Sequence, residues 1–231
     1  LTMAGVADHS RFREDPFGRL QRTAGFLAAT VFGTTEDAER AVAQVLRVHQ
    51  HVRGTTPGGR PYRASDPHLV TFVHVTEVDS FLESHQAYGP RRLSAVDADR
   101  YVADMARVCL MLGGDPPPTT ADGLRAWLHD VRPGLRYGRQ AREAVRFILA
   151  PPLPVHARPG YAAASAAALG LLPFWAQRML RLPVLPPADL LAVRPTVRTI
   201  LGTLRWAVGG SPARSMARGR VLADGAAVPS P

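Results

Sequence analysis

The sequence predicts an all-α fold in which a single domain is built from several helices. Residues that cap helices, and glycines that end them, recur from one end of the chain to the other. No segment alternates apolar and polar residues over a useful strand length, and no repeat of fixed period is present. Hydrophobic residues make up 46% of the 231 residues, which is enough for a substantial core.

Two helices are predicted in the first quarter of the chain. The first covers 17–32 and follows an Asp-Pro pair, which supplies an N-cap and a first-turn proline. The second opens with a capping-box pattern formed by Thr34 and Asp37. It continues to about Arg53, where Gly54 supplies the stop.

The rest of the chain continues this pattern. The segment 55–64 is rich in glycine and proline and has no period, so it is predicted to be a loop. A third helix follows Asp66 and continues to about Tyr88, and a fourth runs from the cap residue Ser94 to Leu112. Further helices are predicted over 121–131, 138–149, 162–182 and 187–208, which gives one domain over 1–210 and a loose tail over 211–231.

The positive charge of the chain comes entirely from arginine. The 28 basic residues include no lysine, and with 19 acidic residues they give a formal charge of +9. Such an excess suits an anionic surface, nucleic acid or an acidic ligand. The arginines form no dense block and are not interleaved with aromatic residues, so no nucleic-acid partner is predicted.

The single cysteine and the apolar segments indicate the cellular compartment in which the protein is expected. Cys109 is alone, which excludes an internal disulfide and a multi-cysteine zinc site and suits a reducing compartment. No secretory signal is visible, and the most apolar run, 161–175, is too short to span a bilayer and contains Pro173. We expect a cytoplasmic protein, and a peripheral contact with a membrane stays open.

Common catalytic motifs are missing. The sequence has no phosphate loop, no Gly-x-Ser-x-Gly, no Gly-x-Gly-x-x-Gly and no lysine that could form a Schiff base. The spacing of His74 and Glu77 comes nearest to a metal motif. The di-iron pattern, however, places Glu first and needs two copies with two further glutamates.

Two histidines of the second helix lie on different faces. His49 is spaced three or four residues from Val45 and Val52, which puts it on the apolar face. His51 aligns with Arg47 and is expected to face water. A buried histidine is either a core residue bonded to nearby backbone or a ligand, and spacing alone leaves both interpretations open for His49.

Polar residues also lie on the apolar faces of the first and third helices. His74 is expected to be buried with Glu77 one turn on, either as a local hydrogen-bonded pair or as part of a pocket wall. Thr23 falls on an apolar stripe of the first helix, and Arg19 lies one turn before it with Arg22 alongside. The alternative for this group is a solvated edge with a threonine bonded to its own backbone.

An ordered set of segments resembles one protein family. The chain is similar to the family that contains the fungal oxygenase MpaB and the bacterial rubber oxygenases, or latex clearing proteins, over roughly residues 5–220. The matching segments, in family order, are DHSRFREDPFGRLQRT, VHQHVRG, YRASDPHLVTFVHVTEVDSFL, DADRYVADMARV and AREAVRFILAPPLP. The family carries another helix before AGVADHS, so this chain is expected to lack the family's first helix.

The resemblance implies a fold, a cofactor and a reaction. It implies a globin-like helical core around a buried pocket that holds one haem b, with iron as the metal. It also implies oxidative cleavage of a carbon-carbon double bond in an apolar, isoprenoid or lipid-like substrate, with dioxygen as the second reactant.

The resemblance also implies site residues. Residues 19–23 match an Arg-x-x-Lys-Thr run near the haem, which makes Arg19, Arg22 and Thr23 the catalytic residues. Arginine stands at 22 where the family has lysine, so a role in proton transfer gives way to an electrostatic one. His49 matches the proximal ligand of the haem iron, and His74 is assigned to the cofactor pocket. The helical-face argument selects the same histidine.

Two other functions are compatible with the sequence. One is a haem-free protein that carries a lipid or prenyl compound in the same cavity. The other is a peripheral membrane protein that docks through 162–175 and through an arginine-rich C-terminal helix around Arg198 and Arg205. The sequence predicts no particular oligomeric state.

Overall fold

The computed structural model describes residues 1–10, 13–56, 58–182, 195–199, 202–203 and 212–226, and these residues form an all-α fold. The predicted fold class is thereby confirmed. The labelled helices are α1 (Thr2–His9), α2 (Pro16–Phe32), α3 (Thr35–His51), α4 (Pro67–Tyr88), α5 (Ala95–Met111), α6 (Ala121–Val131), α7 (Arg139–Leu149), α8 (Arg158–Leu171), α9 (Phe174–Met179) and α10 (Pro212–Ala226). Strands β1 (Arg53–Thr55) and β2 (Pro61–Arg63) lie between α3 and α4, and short 3-10 turns occupy Arg132–Gly134 and Val155–Ala157.

The predicted N-caps form the expected hydrogen bonds. The Asp15 carboxylate accepts from the Gly18 backbone N–H at 2.8 Å, which opens α2. Thr34 and Asp37 form a reciprocal capping box at the start of α3. The Asp66 carboxylate accepts from the first backbone N–H groups of α4. Each bond satisfies a donor that the helix geometry leaves without an internal partner.

The largest core cluster joins α4, α5 and α6. Helix α4 is apolar around most of its circumference, which is typical of a helix enclosed by others. The buried side chains of this cluster are Val75, Val78, Leu82, Ala98, Val102, Met105, Val108 and Leu124. This cluster holds α4 in a central position, from which its other face can line a cavity.

The segment predicted as a loop contains a small antiparallel hairpin. Gly54 of β1 lies opposite Tyr62 of β2, and Tyr62 is buried. Its phenol oxygen donates a hydrogen bond of 2.5 Å to the Asp8 carboxylate of α1. Gly59 in the turn has a φ of +78°, which a side chain would disfavour. Three-residue strands are too short to show an alternating pattern, so the sequence did not reveal them.

Two predicted helices have different limits in the structure. The helix predicted over 162–182 is two helices, because α8 ends before Pro173 and α9 begins after it. Proline has no N–H to continue the first helix, and the carbonyl of Pro173 instead accepts from Ala176 at 2.8 Å. Helix α1 was not predicted at all, since it has only eight residues.

The expectation of a loose tail is wrong for part of it. Pro212–Ala226 form α10, which packs against α2 and donates a hydrogen bond from Arg220 to the carbonyl of Phe32. A first-position proline and several helix-favouring residues stabilise this helix despite its weak apolar pattern. Most of the helix predicted over 187–208 lies outside the described residues. Within that range, 195–199 and 202–203 are described, and both are helical.

The predicted stripe of α2, formed by Leu20, Thr23, Leu27 and Val31, faces inward only at Leu27, which is half-buried and lines a cavity. Leu20 is 63% exposed and Val31 is 48% exposed, and Thr23 between them is exposed as well. The adjacent side of the helix is turned inward instead, and Phe26 packs against the main core cluster. None of the described helices is both long and apolar enough to cross a bilayer.

Candidate functional site

A cavity of about 500 Å³ brings together residues from α1 to α5 and the hairpin. Most of its lining is apolar. The polar side chains in the wall come from different elements, and they include four of the five residues selected from the sequence. These four are Arg19, Arg22, His49 and His74. The cavity thus unites positions that lie up to 55 residues apart in the chain.

His49 lies at the cavity with one ring nitrogen buried in the protein. Its Nδ1 has no hydrogen-bond partner among the described residues. This contradicts the interpretation of His49 as a core histidine bonded to nearby backbone. Burial lowers the pKa of His49, so the ring is neutral at neutral pH. A neutral imidazole has a lone pair that can bind a metal.

His51 differs from His49, as predicted. It is exposed, and its Nδ1 donates a hydrogen bond of 2.8 Å to the carbonyl of Arg47 one turn earlier. The two side chains therefore separate into one at the cavity and one at the surface, although only one residue lies between them. This separation follows from the 100° turn per residue of a helix.

His74 and Glu77 lie one turn apart on α4, and both line the cavity. His74 is buried, and burial lowers its pKa, while a hydrogen bond with the backbone of Met105 acts in the opposite direction. Burial raises the pKa of Glu77. No hydrogen bond joins the two side chains within the described part of the chain. Their arrangement therefore favours the interpretation as parts of a pocket wall.

Arg19 and Arg22 place positive charge at the α2 side of the cavity. Arg19 donates a hydrogen bond to the Ser10 hydroxyl, and Arg22 forms an ion pair of 3.4 Å with Asp15. Burial lowers the pKa of Arg19, and the nearby charge of Arg22 lowers it further. An anionic group in the cavity would relieve this repulsion between the two guanidinium groups.

Thr23 is the predicted site residue that the structure does not bring to the cavity. Its side chain is exposed, and its hydroxyl donates a hydrogen bond of 3.1 Å to the Arg19 carbonyl. Arg19, one turn earlier on the same helix, lines the cavity, and Thr23 does not. A threonine within a helix commonly bonds to its own backbone in this way. Its assignment as a catalytic residue rests on the family resemblance alone.

Helix α1 and the hairpin form a side of the cavity that the sequence did not predict. Val6 and His9 of α1 line the cavity together with Tyr62 of β2. Burial, and then the bond to Asp8, raise the pKa of Tyr62 to about 12, so its phenol stays protonated. Helix α1 has only eight residues, which is too short for an apolar period to identify it from the sequence.

The fold and the site together define a helical protein with an apolar ligand cavity, a neutral histidine in its wall and a pair of arginines at one side. A family model described as ER-bound oxygenase mpaB/B'/Rubber oxygenase, catalytic domain, matches residues 1–206. The chain belongs to this family, which places it among oxygenases of the MpaB and rubber oxygenase type. Comparisons with curated proteins and with solved structures gave no match.

Proposed function

We propose that the protein is a haem b-dependent oxygenase that acts on an apolar, isoprenoid or lipid-like substrate by oxidative cleavage of a carbon-carbon double bond. The observation that carries this proposal is the position of His49. It is a neutral histidine in the wall of an apolar cavity.

The set of donors suits haem better than a free metal ion. Within the described residues, no group of three or more His, Cys, Asp or Glu side chains could hold a metal. Iron that is already held by a porphyrin needs only one or two ligands from the protein. A single histidine, His49, is sufficient to meet that requirement. When bound, haem b supplies an iron centre that reacts with dioxygen.

The remaining residues have separate roles in this proposal. Arg19 and Arg22 bind and orient the anionic propionate groups, because guanidinium groups pair well with carboxylates. Arg22 keeps its charge and moves no proton. His74 supports the pocket wall from α4. Val48 and Val73 are exposed to solvent and also line the cavity, so they offer apolar surface to an apolar substrate.

The test of this proposal is a visible spectrum after haem supplementation. The wild-type protein is expected to show a Soret band, and His49→Ala is expected to lose it or to shift it strongly. His51→Ala is the matched control, since this side chain is exposed on the same helix. A wild-type protein without a Soret band, or a band unchanged in His49→Ala, would contradict the proposal.

A haem-free lipid or prenyl carrier is the second candidate. Histidines that bind metals usually donate their other N–H to a nearby acceptor. The described residues provide no such acceptor for Nδ1 of His49, which favours a cavity that binds lipid alone. Native mass spectrometry separates the two functions. A bound lipid mass without haem supports the carrier, and a haem mass supports the oxygenase.

A peripheral contact with a membrane is compatible with either function. Val155 and Phe174, near the two ends of α8, are exposed large apolar residues. Arg198 donates a hydrogen bond of 2.7 Å to the Ala87 carbonyl, and Arg205 lies outside the described residues. Flotation with anionic liposomes at low and high salt tests this contact, and the absence of salt-sensitive binding would contradict it.

A further inference from the structure

Glu77 places a carboxyl group in the wall of an otherwise apolar and cationic cavity. Among the described residues that line the cavity, it is the one acid. Its carboxyl forms no hydrogen bond or ion pair with another described residue. Glu77 is partly buried, so its carboxyl group remains available to a ligand that enters the cavity.

The surroundings of Glu77 favour its uncharged form. The lining contributed by α4 and α5 includes the apolar side chains of Val73, Met105 and Val108. Burial is the sole resolved cause that shifts the pKa of Glu77, and it shifts the pKa upward. The presence of Glu77 in turn helps to raise the pKa of Tyr101 to about 12. A carboxyl group accepts hydrogen bonds in either protonation state, and it also donates one when it is protonated.

The charged and titratable side chains that face the cavity come from α1, α2, α3, α4 and β2. They are His9 of α1, Arg19 and Arg22 of α2, His49 of α3, Tyr62 and Arg63 of β2, and His74 of α4. No charged side chain of α5 lines the cavity among the described residues. Because three of these groups are arginines, the cavity disfavours a cationic ligand that would otherwise pair with the carboxyl group.

We propose that Glu77 forms a hydrogen bond with an uncharged oxygen of the ligand, so that the cavity selects an apolar chain carrying a hydroxyl or carbonyl group over a plain hydrocarbon. This inference rests on the proposed function, because it takes the cavity as the substrate site. It adds a specificity-determining residue that neither the helical-face argument nor the family resemblance assigned.

The first part of the test compares ligands of one chain length. Farnesene, farnesol, farnesal and farnesylamine share an isoprenoid chain and differ in having no oxygen, a hydroxyl, a carbonyl or an amine. Equilibrium dialysis with mass-spectrometric quantification gives their affinities for the wild-type protein, both as purified and after haem supplementation. Farnesol and farnesal are expected to bind about twofold to tenfold more tightly than farnesene, and farnesylamine is expected to bind weakly.

The second part compares variants. Glu77→Leu removes both the donor and the acceptor and is expected to abolish the preference for oxygen while keeping the affinity for farnesene. Glu77→Gln keeps a donor and an acceptor and is expected to retain the preference. Glu83→Leu is the matched control, because Glu83 is on the same helix, pairs with Arg125 at 3.8 Å and does not line this cavity.

Several results would overturn the inference. These are equal affinities of the wild-type protein for farnesene and farnesol, tightest binding of farnesylamine, or an unchanged preference in Glu77→Leu. The wild-type comparison decides the matter even where Glu77→Leu fails to fold. The Soret band is measured in the same samples, so failures can be told apart. A haem-binding protein without the preference contradicts this inference alone, and a haem-free protein with the preference contradicts the oxygenase alone.

Discussion

At the scale of single residues, burial sets the protonation of the groups that line the cavity. It lowers the pKa of His49 and His74 and raises the pKa of Glu77. All three shifts favour the uncharged form, which is the effect expected of an apolar environment. The cavity therefore carries its fixed charge on arginine, and burial disfavours the charged forms of His49, His74 and Glu77.

The shift of His49 predicts a specific dependence of stability on pH. Its pKa in the folded chain lies below the ordinary value of 6.5, so as the pH falls through that value the unfolded chain binds a proton first. Folding stability is therefore lost as the pH falls below about 6.5. His49→Gln is expected to show a smaller loss in the free energy of unfolding between about pH 7 and about pH 5.

Urea unfolding of the haem-free protein at the two pH values measures this effect. His51→Gln is the control, because His51 is exposed and bonds only to its own helix backbone among the described residues. In His51→Gln, the change in the free energy of unfolding between the two pH values is expected to be close to that of the wild type. An equal pH dependence in His49→Gln and wild type would show that burial of this ring has no energetic consequence.

At the scale of elements, α4 serves the core and the cavity at once. Val75 and Val78 on one side belong to the main cluster, whereas His74 and Glu77 line the cavity. Because one rigid helix carries both sets of residues, the packing of the core determines where the polar groups of the site lie. The start of this helix is held by Asp66.

Loss of this cap is expected to destabilise the protein. The Asp66 carboxylate accepts hydrogen bonds from the backbone N–H groups of His68 at 3.0 Å and Leu69 at 3.3 Å. Asp66→Ala removes both bonds and should lower the free energy of unfolding by about 1 kcal/mol. Asp66→Asn keeps a side-chain acceptor and should cost much less. Chemical denaturation measures both changes, and equal losses would show that the charge matters more than the cap.

At the scale of the whole molecule, the cavity exists because separate elements close around it. Helix α1 is joined to the hairpin by Tyr62 and Asp8, α2 and α3 pack against each other, and α4 is held by α5 and α6. Leu124 of α6 is 1% exposed and fills the centre of the main cluster. The core therefore supports the site from a distance.

Truncation of Leu124 is expected to weaken the whole fold. Leu124→Ala would leave a cavity in the cluster of α4, α5 and α6 and should lower the free energy of unfolding by about 2–5 kcal/mol. Leu110→Ala is the control, since Leu110 is 53% exposed and its loss should cost little. Urea denaturation compares the two. A similar small decrease in the free energy of unfolding for both variants would mean that packing of Leu124 in this cluster contributes little to stability.

The site was predictable where a helix determines its own geometry. The spacing of His49 and His51 was sufficient to separate a cavity residue from a surface residue, and the caps of α2, α3 and α4 follow directly from local sequence. The sequence did not predict that Thr23 faces solvent, because several faces of α2 carry apolar residues. Which face turns inward depends on the neighbours of the helix.

By itself, the sequence determined the all-α class, most helix boundaries, the arginine-only positive charge and the family membership that residues 1–206 confirm. These properties depend on hydrogen bonds and spacings within short stretches of chain. Only the tertiary structure decided that α1 and the hairpin enclose the cavity, that Thr23 lies outside it, and that Glu77 faces it without a partner among the described residues. These properties depend on contacts between segments far apart in sequence, which no local pattern encodes.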